Sequence, residues 1–119
     1  MSDIIITLPK HILWENYKKE LEAAEKGHSL NFKVNNFPNV NIGEKCYLLH
    51  DGFIRGYMII SGLSQKEFDC TTTGKKWCGK FIERTGKFHY IDPIPMRGFQ
   101  GYRYFTKDIF LGAGESNTQ

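Results

Sequence analysis

No stretch of this 119-residue chain approaches the roughly 20 consecutive apolar residues that crossing a bilayer requires. The start, "MSDIIITLPK", has Asp3 and only a three-residue apolar run, so it lacks the basic and long apolar segments of a signal peptide. The expectation is a cytoplasmic chain without membrane contact. Cysteine is scarce: Cys46, Cys70 and Cys78 are an odd number with no CxxC pair. That argues against a disulfide framework and against zinc-ligand spacing. We expect small buried thiols, no metal and no cofactor. A Walker-type phosphate loop is excluded as well, because "TTTGKKWCGK" does not contain GxxxxGK[ST]. No internal repeat is present.

What the chain has instead is rings and turns. Aromatics make up 14% of it, with 12 glycines, a combination that favours sheet over helix bundle. Hydrophobic content of 40% and charge of 24% are those of an ordinary soluble globular domain. The net charge is +3, unevenly spread: residues 1–74 carry 8 Lys/Arg against 9 Asp/Glu, and residues 75–119 carry 8 against 4. The basic C-terminal part points to a polyanionic partner.

Along the chain, the β-branched run "DIIITL" predicts a buried strand. Pro9 then opens an amphipathic helix over residues 10–27, with Leu13, Tyr17, Leu21 and Ala24 on one face and Gly27 as its stop. "SLNFKV" alternates as a half-buried strand, Leu30, Phe32 and Val34 on one side. "KCYLLHDGFIRGYMIISGL" sets two apolar runs around Asp51-Gly52, a strong signal for a type I′ hairpin. Residues 64–76 are polar and read as a loop or a short edge strand. A turn is expected near Thr85-Gly86, and the prolines of "DPIPM" are expected to break regular structure. In "GFQGYRYF", Phe99, Gly101, Arg103 and Phe105 fall on one side and Gln100, Tyr102 and Tyr104 on the other. Arg103 is awkward there, because it shares a side with two phenylalanines and must reach a barrel mouth or an acid. "TKDIFL" is a further candidate strand. Residues 1–110 read as one domain and 111–119 as a flexible tail. The fold class is α/β in the α+β sense: a small mixed barrel with one main helix against it.

"NIGEKCYLLHDGFIRGYMIISG" resembles the core of the PUA-like superfamily, which includes PUA, ASCH and EVE domains. The family pattern appears here as Gly43-Glu44, a strand at Tyr47, Leu48 and Leu49, then Gly52, Gly56 and a strand over residues 57–60. The resemblance spans residues 27 to 105. It implies a PUA-like barrel that binds RNA or a modified base, or, in some ASCH domains, an enzyme acting on RNA or a modified nucleoside. The ASCH signature, G-x-K-x-x-E-x-R, would fall on "GHSLNFKV". Its lysine, glutamate and arginine positions hold Ser29, Phe32 and Val34, so the enzymatic part does not carry over.

Three groups of residues carry chemistry. His50, Asp51 and Arg55 lie close together across the expected hairpin. A His–Asp pair can orient a general base, but Asp51 is also what the turn requires, with His50 and Arg55 on a wet rim. His50, Asp51 and His89 are therefore the weak catalytic candidates, and a lone histidine such as His89 is equally a satisfied structural residue. Lys75, Lys76 and Trp77 could grip phosphate and stack on a base, or simply form a loop anchored by the indole. "PIPMRGFQGYRYF" is the strongest candidate: Arg97 and Arg103 for phosphate, Tyr102 for stacking, Gln100 for a base edge. The alternative is that Phe99, Tyr104 and Phe105 fill the barrel while the arginines are solvated. The leading expectation is a non-catalytic module for nucleic acid, RNA or a modified or flipped base rather than duplex DNA. Two alternatives stand beside it: an ASCH-type hydrolase or nuclease, and a protein-interaction accessory factor from a mobile element or phage.

Overall fold

The computed structural model describes residues 3–69 and 76–106, with only the backbone of residues 66–69 and 76–78. Of the expected strand over residues 106–111 only Thr106 is described; the tail at 111–119, Cys70, the Cys78 side chain and residues 71–75 lie outside the described residues. The elements run β1 (Asp3–Thr7), α1 (Trp14–Glu25), β2 (Leu30–Val34), β3 (Lys45–His50), β4 (Phe53–Asp69), β5 (Lys76–Pro95) and β6 (Tyr102–Phe105). The strands form one mixed sheet in the order β2-β5-β4-β3-β1-β6, curled into a half-barrel around α1. Among the described residues no helix is long and apolar enough to cross a membrane.

Burial on both faces explains the unbroken apolar runs of β1 and β3. The two strands pair in parallel, from Ile4 opposite Cys46 to Thr7 opposite Leu49. On the concave side Ile4, Ile6, Cys46 and Leu48 join Met58, Ile60, Ile82 and Phe88 beneath the helix residues Tyr17, Leu21 and Ala24. On the convex side Ile5, Tyr47, Leu49, Ile54 and Ile94 form a second cluster, with Met96, Phe99 and Phe105 packed on it.

The helix is shorter than its sequence pattern. It begins at Trp14, and Leu13, expected on the core face, is 64% exposed while Ile12 and Trp14 pack on the core instead. The reason is tertiary. The Ile12 carbonyl accepts a bond from His50 Nε2 at 2.8 Å, whereas the N–H groups of Asn16 and Tyr17 both turn to the Leu13 carbonyl. Helical pairing therefore starts one residue after the carbonyl that the tertiary fold has taken. The other end is as expected: Gly27 takes φ 109°, His28 N–H bonds the Ala23 carbonyl and Gly27 N–H the Ala24 carbonyl, a Schellman stop.

The Asp51-Gly52 hairpin also forms, with φ of 49° and 84° at the two centre positions. Residues 64–69, expected as a loop or a short edge strand, are strand: the outer part of β4, paired with β5 out to Asp69 opposite Lys76. Backbone pairing to the next strand in the chain can hold a polar strand. Two other expectations are overturned: Thr85-Gly86 makes no chain reversal, and "DPIPM" does not end regular structure before Pro95. The β4–β5 register slips at three places instead, and these irregularities absorb Gly86, at φ 97°, and Pro93. Proline is tolerated because β2 pairs with β5 only at residues 80–84, leaving the later part of β5 as a free edge.

Gly56 is the tightest crossing. A Cβ there would meet the His89 carbonyl oxygen and the Phe88 ring. Gly56→Ala is therefore expected to cost at least about 2 kcal/mol, as overpacking against backbone does; denaturant unfolding checks this. Cys46 gives a second prediction. Burial pushes its thiol from 9.0 up to about 11, and the nearby Arg84 charge offsets only part of that. The folded state thus keeps a proton that the unfolded chain loses above about pH 9. Stability should be full at neutral pH and fall by about 3 kcal/mol as pH rises from 9 to 11. Cys46→Val should remove that component of the slope, read as the difference between the two proteins' unfolding curves across this range.

Candidate functional site

Residues 96–101 connect β5 to β6 and separate two open clefts. The first, about 600 Å³, sits where the parallel strands β1 and β3 end. Its apolar floor is Leu8, Leu49 and Phe99, and its polar groups are Thr7, Lys10, Asp51, Arg97 and Gln100. The second, about 420 Å³, lies in the seam between the sheet edges, lined by residues 33–36 and 100–102. Gln100 lines both. The connection is held at each end: Met96 N–H bonds the Gly52 carbonyl at 3.0 Å, and Tyr104 Oη accepts the Asn39 N–H at 3.0 Å across the seam. Gly101, at φ 76°, turns the chain into β6.

The expected binding residues divide accordingly. Arg97 and Gln100 are exposed on the first cleft, and Gln100 and Tyr102 line the second. Tyr102 is half-buried against the main core, while Phe99 and Phe105 pack on the convex cluster rather than inside the barrel. Among the described residues Arg103 pairs with no acid, and it does not enter the barrel. Its guanidinium carbon lies 4.9 Å over the Phe99 ring, a cation–π contact that lets it share the side of the phenylalanines. Lys75 and the side chains of Lys76 and Trp77 lie outside the described residues. Two cations come to the clefts without having been foreseen: Lys10, 4.0 Å from Asp51, and Lys33. No local signal marks either one, because each meets its cleft partners through residues about 40 to 90 positions away.

His50, Asp51 and His89 do not converge. His50 is not on a wet rim: it is 5% exposed, its ring stacked on Trp14 at 5.6 Å. The Ile12 carbonyl can only accept, so His50 Nε2 donates to it, and Nδ1 is buried with no partner among the described residues. Arg55 closes this group, its guanidinium 5.0 Å over Trp14 and its Nε donating to the His50 carbonyl at 3.3 Å. Asp51 sits at the hairpin tip beside the first cleft. His89 is exposed on the convex side, stacked on Tyr57. The two histidines thus lie on opposite faces of the sheet.

The three ASCH-signature positions serve structure here. Ser29 Oγ bonds Thr85 Oγ1 at 3.1 Å, and Phe32 and Val34 belong to the core. The interior has a charge nonetheless. Arg84, opposite Leu30, is 4% exposed, with Nη1 3.5 Å from Tyr17 Oη and Nε without a partner among the described residues. Among the described residues no three His, Cys, Asp or Glu side chains gather as a metal site would require.

No protein-family model and no curated protein matches the chain. Among solved structures it matches that of a mutant of the ZmASCH protein from Zymomonas mobilis, at 12% identity and a TM-score of 0.59, over 97% of this chain and 98% of that one. At that identity the likeness concerns the fold: one N-terminal helix on a six-stranded mixed half-barrel, the PUA-like architecture of an ASCH domain.

Proposed function

We propose that the protein is a non-catalytic binding module for single-stranded nucleic acid, RNA in particular, that receives an unpaired or modified base in the cleft beside residues 97–101. The observation that carries this reading is the first cleft itself. It combines an apolar floor, two cations and an amide at the ends of parallel strands, in about 600 Å³. Arg97 and Lys10 would hold phosphate, Phe99 would offer its surroundings to a base, and Gln100 would read a base edge. The seam adds Lys33 and Tyr102 on the other side of the same connection. The reading also assigns phosphate contact to Lys75, Lys76 and Arg103 and stacking to Trp77. Single strands are favoured over duplex because the site is a pocket for one unpaired unit rather than a surface matched to a groove. The ASCH-like fold supports the reading in general terms, since the resemblance implies RNA or modified-base binding. Separation of His50, Asp51 and His89 favours binding over hydrolysis.

Electrophoretic and fluorescence binding to single-stranded RNA, single-stranded DNA and duplexes at two salt concentrations tests this. Single-stranded RNA should bind best, and its affinity should fall steeply with salt. Replacing Arg97 and Arg103 together by alanine should weaken binding at least about tenfold and flatten the log–log salt slope by about 0.7 for each phosphate that is no longer neutralised. Absence of binding to every nucleic acid, or unchanged affinity in the double variant, overturns the reading.

A further inference from the structure

The convex face of the sheet carries a feature that the cleft does not use. The register places Arg103, Ile5, Tyr47, Tyr57 and His89 opposite one another in one row across β6, β1, β3, β4 and β5. Strands about 4.8 Å apart make this row about 19 Å long. Aromatic rings follow it. Phe105 stacks on Tyr47 with centroids 4.0 Å apart and planes within 12°, Tyr47 meets Tyr57 at 5.3 Å, and Tyr57 stacks on His89 at 4.9 Å and 20°. Tyr47 is buried beneath its neighbours and Tyr57 is half-buried, so His89 is the exposed ring of the Tyr47–Tyr57–His89 series. His89 terminates the series: among the described residues Tyr57 is its only ring partner. It also lies where, among the described residues, no strand pairs with β5 on its outer side, because β2 pairs only with residues 80–84.

Cations flank the row. The Lys45 ammonium sits 4.8 Å over Tyr57, and Arg103 stands at the far end, over Phe99, a wall of the first cleft. The nearby Asp3 carboxylate accepts the Lys45 N–H at 2.8 Å. A sheet face with rings in register and positive charge beside them is how β-sheets hold successive bases of a single strand.

We infer that this convex row is a second stacking platform for single-stranded nucleic acid, with His89 and Tyr57 taking a base and Lys45 and Arg103 the backbone. It rests on the nucleic-acid reading above and deepens it. The strand that places one base in the cleft beside Arg97 continues across the convex face past Arg103 toward His89.

Two labelled single-stranded RNAs separate the platform from the cleft. One has three nucleotides, enough for the cleft; the other has about ten, within the site sizes common for single-strand binders. His89→Ala changes an exposed side chain and is expected to leave unfolding unchanged. It should weaken the longer RNA at least about fivefold, the least one stacked base contributes, and leave the shorter one unaffected. His89→Trp should restore or exceed the original affinity, and Lys45→Ala should reduce the salt slope for the longer RNA only. Equal affinity of His89→Ala and wild type for the longer RNA overturns the platform while leaving the cleft reading standing. So does sedimentation showing self-association that His89→Ala abolishes without any change in RNA affinity, which would make the row an interface between copies of this chain. If wild type binds neither RNA, the nucleic-acid reading falls and the platform with it.

Discussion

The parallel pairing of β1 with β3 is the contact from which the other parts take their positions. Both strands are buried on both faces, so their alternate side chains build two cores at once. Ile4 and Ile6 bring the helix to the concave side, and Ile5 with Tyr47 gathers rings on the convex side. The pairing continues past the strands, with Leu8 N–H bonded to the Leu49 carbonyl at 2.8 Å. That bond fixes the floor of the larger cleft, where Leu8 and Leu49 lie side by side. Burying three consecutive isoleucines on two faces is worth several kcal/mol, which is why the polar elements can be arranged around this pair rather than hold it.

Around that centre, polar groups decide where the connections lie. His50 holds the Ile12 carbonyl and stacks on Trp14, so the segment between β1 and α1 is drawn against the end of β3 and Lys10 comes to the cleft. Met96 bonded to the hairpin at Gly52 does the same for residues 97–100 from the opposite side. The cleft is thus walled by two connections, each tied to the β3–β4 hairpin. Arg84 is the unusual element of the interior, a buried guanidinium whose hydrogen-bonding partner among the described residues is a tyrosine hydroxyl rather than a carboxylate. Such burial costs free energy, and the Cys46 thiol beside it stays protonated because burial outweighs that charge.

Much of the architecture could be read from local patterns. Asp51-Gly52 marked its hairpin because few residues accept positive φ at both centre positions. Gly27 marked the helix end for a related reason. The alternation of "GFQGYRYF" correctly separated Phe99 and Phe105 from Tyr102, although the strand itself begins only at Tyr102. Reading failed where composition was taken for conformation. Gly86 and Pro93 are accommodated in slipped register rather than in turns, and polar residues 64–69, left open between loop and edge strand, are strand because β5 pairs with them. In the candidate site, Arg97, Gln100 and Tyr102 were legible as a cluster because they are neighbours in the chain. Lys10, Lys33 and Trp14 were not, since their partners come from distant segments.

The amino-acid sequence by itself determined the element types, the hairpin, the helix stop and the two-sided burial of the first strand. These depend on φ preferences and on hydrophobic periodicity, both of which act within a few residues. Only the tertiary structure decided that His50 is buried with its Nε2 proton on a carbonyl, that Arg103 lies flat on Phe99, and that rings from four strands line up toward His89. Each of those depends on strand register and on the slips in β4 and β5. Register is set by the sum of contacts across the whole sheet, and no single stretch of the chain contains that sum.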